Sequence, residues 1–156
     1  MGLREDILTD TVAELVLRKV IKVQKHDTIS HAVSLMQEHR LGCVVVVDDE
    51  DRPLGKFTEK ILLSLLLKNA KALDQHVGDH MVAAYGVVEK TDPISKVLDA
   101  MQSKELRFVI VTDDDGRAIG LTGQKGMMEY ITEHFPRQIK SQMMESKLFM
   151  DQREGA

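Results

Sequence analysis

Apolar residues recur along this chain in two rhythms. Ile29, Ala32, Val33 and Met36 stand at i, i+3, i+4 and i+7, one buried stripe of a helix that Asp27 is placed to cap. Cys43 to Val47 is an unbroken run of a cysteine and four valines, which predicts a strand buried on both faces. Asp48 to Arg52 reads as a tight polar turn, Leu54 to Thr58 as a second strand, and Glu59 to about Asn69 as a leucine-rich helix. Upstream, residues 1–8 form a polar leader. Thr9, Asp10 or Thr11 can cap a helix carrying Val12, Leu15 and Val16, and Val20 to Val23 is a short strand.

The same order then returns. His76 to Val82 predicts a leading helix and Tyr85 to Glu89 a strand. Asp92-Pro93 is a cap followed by proline in the first turn, and Ile94, Val97, Leu98 and Met101 repeat the stripe. Phe108 to Thr112 and Ala118 to Thr122 are paired strands, and Gln124 to Phe135 a helix that stops before Pro136. In the turn Asp113 to Arg117, Gly116 supplies the left-handed residue that Asp51 must supply in the first copy. A shift of 65 residues superposes the two halves without a gap, giving 16 identities in the 56 pairs from Val12/Val77 to Leu67/Thr132. A fixed period means one structural unit built twice. The fold class is α/β (α+β): two β-α-β-β-α units packed sheet against sheet about a pseudo-twofold axis, spanning 1–69 and 70–135. A tail at 136–156 carries Ile139, Met143, Met144, Leu148 and Phe149, enough apolar surface to predict packing on its own domain or on a partner.

Composition narrows the function. The 156 residues can bury a real core. Their formal charge of −4 and lack of Trp argue against nucleic acid, which needs a positive face and stacking platforms. No apolar run is long enough to span a bilayer, and Arg4, Glu5 and Asp6 stand where a secretory apolar region would begin, so no membrane and no signal peptide are expected. Cys43 is the one cysteine, which suits a reducing cytoplasm.

Several motifs tie this pattern to a family. Val77-Gly78-Asp79-His80-Met81, with Val12 to Val16 as a looser copy, opens each unit. Met36 to Asp49 and Met101 to Asp114 are helix-loop-strand segments ending in a valine run and an acidic turn. Gly55-Lys56-Phe57-Thr58-Glu59-Lys60 is a glycine-led strand end running into a helix. In this order, twice over, the chain resembles a tandem pair of CBS domains, a Bateman module, from residue 12 to about 134. The resemblance implies a non-catalytic regulatory module that holds an adenosine-containing ligand such as AMP, ADP, ATP or S-adenosylmethionine between the copies. It also implies a homodimer, an unidentified protein partner, and no required cofactor or metal.

Carried onto this sequence, the family pattern gives a candidate binding set. Ile21, Lys22, Gly86 and Val87 lie on the first strands. Cys43 and Phe108 open the valine-rich strands, with Arg107 just before the second. Thr58, Lys60 and Ile61 in copy one match Gly123, Lys125 and Gly126 in copy two. The family places Thr or Ser after the last strand and Asp three residues on, where both hold the ribose. Here Ile61 and Gly126 stand at the Asp position and Gly123 at the Thr position. Loss of a hydrogen bond to a charged group, worth about 1.5–3 kcal/mol, weakens a nucleotide roughly ten- to a hundredfold unless other contacts offset it.

Other constellations carry bland readings. Arg40 and Arg107 both lie between an amphipathic helix and a valine strand, as phosphate contacts or as solvated arginines. Lys60 and Lys125 sit at helix starts, where a cation is unfavourable unless an anion is near. Gly120, Gly123 and Gly126 do not have dinucleotide or P-loop spacing. His76 and His80 share a helical spacing without a third ligand, and Cys43 has no base beside it in any motif. Two functional readings remain: a sensor of an adenosine-type ligand, and a degenerate pair acting as a dimerisation or adaptor module. No motif supports an enzyme.

Overall fold

The computed structural model describes residues 2–84 and 86–135; Tyr85 and the apolar tail after Phe135 lie outside the described residues. Repeat one is β1 (Lys22–Gln24), α2 (Ile29–His39), β2 (Cys43–Val47), β3 (Pro53–Thr58) and α3 (Glu59–Lys68). Repeat two is β5 (Val88–Glu89), α4 (Ser95–Ser103), β6 (Phe108–Thr112), β7 (Ala118–Gly123) and α5 (Gln124–His134). Before repeat one comes α1 (Leu3–Thr9), and before repeat two a two-residue strand, β4 (Val82–Ala83). In each repeat the first strand runs parallel to the second, and the second pairs antiparallel with the third.

Alternation along the central strands builds three packed layers. Val44 and Val46 point into a core with Ile29, Ala32, Met36 and Phe57, while Val45 and Val47 point the other way. In repeat two Val109 and Val111 face Ile94, Val97 and Tyr130, while Ile110 faces back. Val45, Val47, Ile110, Ala118 and Leu121 meet between the two sheets. The run of four valines is therefore buried on both faces, as its composition predicts.

The lead-in segments do not form the helices expected of them. Val12–Glu14 and Val77–Asp79 are single 3-10 turns, and each is given to the opposite repeat. Val12 and Leu15 join the core of repeat two, while Val77 joins the core of repeat one. Distant carbonyls claim their backbone donors: Val12 N–H donates to Asp92 O (2.9 Å), Ala13 N–H to Lys90 O (2.8 Å), Val77 N–H to Asp27 O (2.9 Å) and Gly78 N–H to Lys25 O (2.9 Å). Glu14 N–H and Leu15 N–H then close i to i−3 bonds on Thr11 O and Val12 O, and extended backbone at Leu15 ends the first turn before an α-helical ladder forms. The exchange obeys the pseudo-twofold. The bridge Thr11↔Pro93 has its counterpart in Thr28↔His76, and β4 beside Gly55 and Lys56 mirrors Arg18 beside Leu121. Tyr130 donates a hydrogen bond to the Asp10 carboxylate, a further tie between the leader and repeat two.

Smaller differences have local causes. The cap of α2 is Thr28, whose Oγ1 accepts from His31 N–H at 3.2 Å, and not Asp27, whose carboxylate accepts from Gln24 N–H at 2.7 Å. Asp92 does the same with Glu89 N–H at 2.8 Å and also pairs with Lys96 Nζ at 2.7 Å, so α4 starts later, at Ser95. The first strands shrink to β1 and β5 because only those residues reach the register of β2 and β6. Asp51 and Gly116 both adopt positive φ in their turns, as expected.

Candidate ligand cleft at the seam between the repeats

Three junctions converge at one end of the seam. The C-terminal end of α2 and its exit loop bring Arg40, Leu41 and Gly42. The β3-to-α3 junction brings Lys56, Thr58, Glu59 and Lys60. The loop from α4 into β6 brings Glu105, Leu106, Arg107 and Phe108. Together they line a cleft of about 990 Å³, walled on its apolar side by Val33, Leu62, Leu63, Leu67 and Val82. It has the size and mixed lining of a small-molecule site.

Each junction is fixed by local chemistry. Thr58 is the N-cap of α3, its Oγ1 accepting from Ile61 N–H at 3.4 Å. Glu59 N–H donates to Gly42 O at 3.2 Å, tying the helix start to the α2 exit loop. Arg40 and Glu105 both take left-handed backbone and are structural equivalents at the repeat offset. Arg107 therefore corresponds to Gly42 and not to Arg40, yet both arginines line the same cleft. The Arg107 guanidinium lies 6.0 Å from the Phe108 ring centroid. Gly123 supports this corner from behind, since a Cβ there would stand 2.6 Å from Arg107 O.

The electrostatics are cationic. Arg40, Lys56, Lys60 and Arg107 face two acids, Glu59 and Glu105, and none of the four cations has an ion pair of 4.0 Å or less among the described residues. Lys56 is 6% exposed, with Nζ donating to Phe108 O at 2.8 Å across the seam. Burial holds its pKa below the ordinary lysine value, with Cys43 opposing weakly. Burial also pushes the Cys43 thiol up to about 11, so it is no nucleophile at neutral pH.

Of the residues that the sequence singles out, the cleft gathers Arg40, Thr58, Lys60, Arg107 and Phe108. The others stand elsewhere. Ile21 is core in repeat one, and Ile61 packs against that same core because the third position of α3 turns inward. Lys22 pairs with Asp51 at 3.1 Å on the surface. Cys43 is buried at the head of β2, and Val87 packs between the sheets. Gly86 sits at φ +68° under Leu106. Lys125 is exposed on α5, and Gly126 is buried against Thr122 Oγ1. His80 is occupied by Gln75 Oε1, 2.5 Å from its Nε2. Lys56 was missed. Its signal is a lysine between Gly55 and Phe57 in a strand whose partner copy has Leu121.

The CBS domain family pattern matches this chain twice, over residues 12–68 and 77–133. An uncharacterised protein of Methanopyrus kandleri is 28% identical over 120 residues, covering 76% of this chain and 61% of that protein, so the chain spans less than two thirds of this relative's length. Among solved structures, CBSX2 in complex with AMP superposes with a TM-score of 0.66 at 22% identity, covering 79% of this chain and 96% of that one. The CBS domain pair of protein MJ0100, in complex with 5′-methylthioadenosine and S-adenosyl-L-methionine, superposes with a TM-score of 0.67 at 17% identity, covering 80% and 98%. At these identities the two structures establish the shared fold. No helix among the described residues is long and apolar enough to cross a membrane.

Proposed function

This chain belongs to the CBS domain family and carries the domain twice, and from that premise we propose that it is a non-catalytic regulatory module binding an adenosine-containing nucleotide in the seam cleft. The observation that carries the reading is the convergence of Thr58 and Lys60 from repeat one with Arg107 and Phe108 from repeat two around one cavity. Leu62, Leu63, Val82 and Phe108 supply an apolar enclosure for a purine, and the start of α3 with Lys60 and Arg107 suits a phosphate. AMP in CBSX2 and S-adenosyl-L-methionine in protein MJ0100 support the class of ligand. A ligand seated here touches both repeats, so binding favours one arrangement of the seam over others, which is how such a module transmits a signal. The free, buried Cys43 suits a reducing cytoplasm. Isothermal calorimetry and thermal shift with AMP, ADP, ATP, NAD and S-adenosylmethionine test the reading; silence from all five at millimolar concentration sinks it.

A second reading, self-association, rests on exposed apolar residues of α3 and α5, of which Leu63 and Leu67 also edge the cleft. Leu63 is 63% and Leu67 89% exposed, and Met128, the equivalent of Leu63, is 54% exposed. A homodimer through these helices covers them, and the paired face is where a protein partner would read the ligand state. Light scattering checks this: the wild type runs as a dimer and Leu67→Lys as a monomer, whereas a monomeric wild type at micromolar concentration removes the idea.

A further inference from the structure

We infer that the seam cleft selects an anionic ligand, and that Lys56 is the residue that reads the charge. The inference rests on the nucleotide reading of the cleft and narrows it to adenine nucleotides with free phosphate, against uncharged adenosine and the cationic sulfonium of S-adenosylmethionine.

Packing does not explain this lysine. Phe57 fills the helix side of β3, which turns Lys56 to the opposite face, toward repeat two. At the equivalent place on β7 stands Leu121, 1% exposed in the layer between the sheets. The fold therefore accepts an apolar residue here, and in one copy it has one. Lys56 puts an ammonium with three donors in the same layer. Phe108 O takes one donor, and no carboxylate pairs with it among the described residues. The one titratable neighbour that bears on it is the Cys43 thiol, which stays protonated at neutral pH.

A buried cation without a counter-charge is costly, and the cost falls when an anion enters beside it. The rest of the cleft points the same way: Arg40, Lys60 and Arg107 outnumber Glu59 and Glu105. This positive cleft lies on a chain whose formal charge is −4. A sulfonium brought here meets repulsion, a neutral nucleoside gains nothing from the charges, and a phosphate gains from several.

The test compares ligands that differ in charge, on the full chain and on two variants. AMP and ADP are expected to bind about ten- to a hundredfold tighter than adenosine, 5′-methylthioadenosine or S-adenosylmethionine, with affinity falling as salt rises. Lys56→Met keeps the stem and drops the charge. It should lose most of the AMP preference, read as the ratio of AMP to adenosine affinity, and Lys56→Arg should retain the preference. If adenosine or S-adenosylmethionine binds the wild type as tightly as AMP, or if Lys56→Met leaves the AMP-to-adenosine ratio intact, the inference is overturned while the nucleotide reading stands. If no adenine compound binds, the nucleotide reading fails. Inorganic pyrophosphate then decides this point: a rise in Tm of the wild type but not of Lys56→Met upholds charge selection, and no rise in either ends it.

Discussion

Replacing Val12 by alanine should loosen the far repeat and not the near one. Val12 has no exposed surface and packs with Ile94, Val97, Val109 and Tyr130, all of repeat two. The substitution removes two carbons at about 0.8 kcal/mol each, and the cavity adds a comparable amount, so the loss is about 2–3 kcal/mol. For a chain of this length that lowers Tm by about 5–10 °C. Urea denaturation gives the free energy, and hydrogen exchange read by mass spectrometry gives its location. Amides of β5, β6 and α5 should lose protection first, while those of β1, β2 and α2 keep theirs. Val77→Ala is the mirror experiment: Val77 is equally buried, in the core of repeat one, and its loss should expose β1, β2 and α2. Should Val12→Ala loosen repeat one instead, or cost less than about 0.5 kcal/mol, the exchange of lead-in segments would be wrong.

Four further outcomes follow from single sites. Thr58→Ala removes the cap of α3, but the bond it breaks is long at 3.4 Å, so denaturation should show a loss near 0.5–1 kcal/mol and Thr58→Ser should restore it. Thr122 Oγ1 is buried without a partner, so Thr122→Val should be neutral or stabilising by about 1 kcal/mol. Gly126→Ala, whose Cβ would stand 2.6 Å from that oxygen, should destabilise by a calorimetric melt, and less so with alanine also at position 122. Cys43 should resist thiol reagents at pH 8 until the protein unfolds. Its pKa is raised on folding, so its contribution is full below the unfolded value and falls as pH climbs toward about 11, with a slope near 1.4 kcal/mol per pH unit. Cys43→Ala should flatten that alkaline limb, and an unchanged limb would place the cause elsewhere.

Much of this architecture is legible in the residues alone because it is set by near neighbours. A valine run such as Val44 to Val47 favours a strand whatever surrounds it, and the spacing of Ile29, Ala32 and Met36 favours a helix with one buried face. The turns at Asp51 and Gly116 follow from which residues tolerate positive φ. The constant offset of 65 residues fixes two like units and hence a seam between them. Thr58, Lys60, Arg107 and Phe108 are named by the resemblance to CBS domains, and the pattern adds only that they lie at or beside the ends of elements.

Packing between the repeats decided the rest. Val12, Leu15 and Val16 have helical spacing, but Asp92 O and Lys90 O, about 80 residues away in the chain, bind Val12 N–H and Ala13 N–H and hold the segment on repeat two, where it closes a single 3-10 turn before Leu15 goes extended. Pairing with Gly55 and Lys56 of the opposite repeat likewise makes Val82 and Ala83 a fourth strand on the sheet of repeat one. Ile21 and Ile61 look like cleft residues by position, yet their rotation about strand and helix turns them to the core. Lys56 is the sharpest case. Along the chain it is one lysine among many, and only the approach of the second sheet removes its water and leaves a charge waiting in the seam.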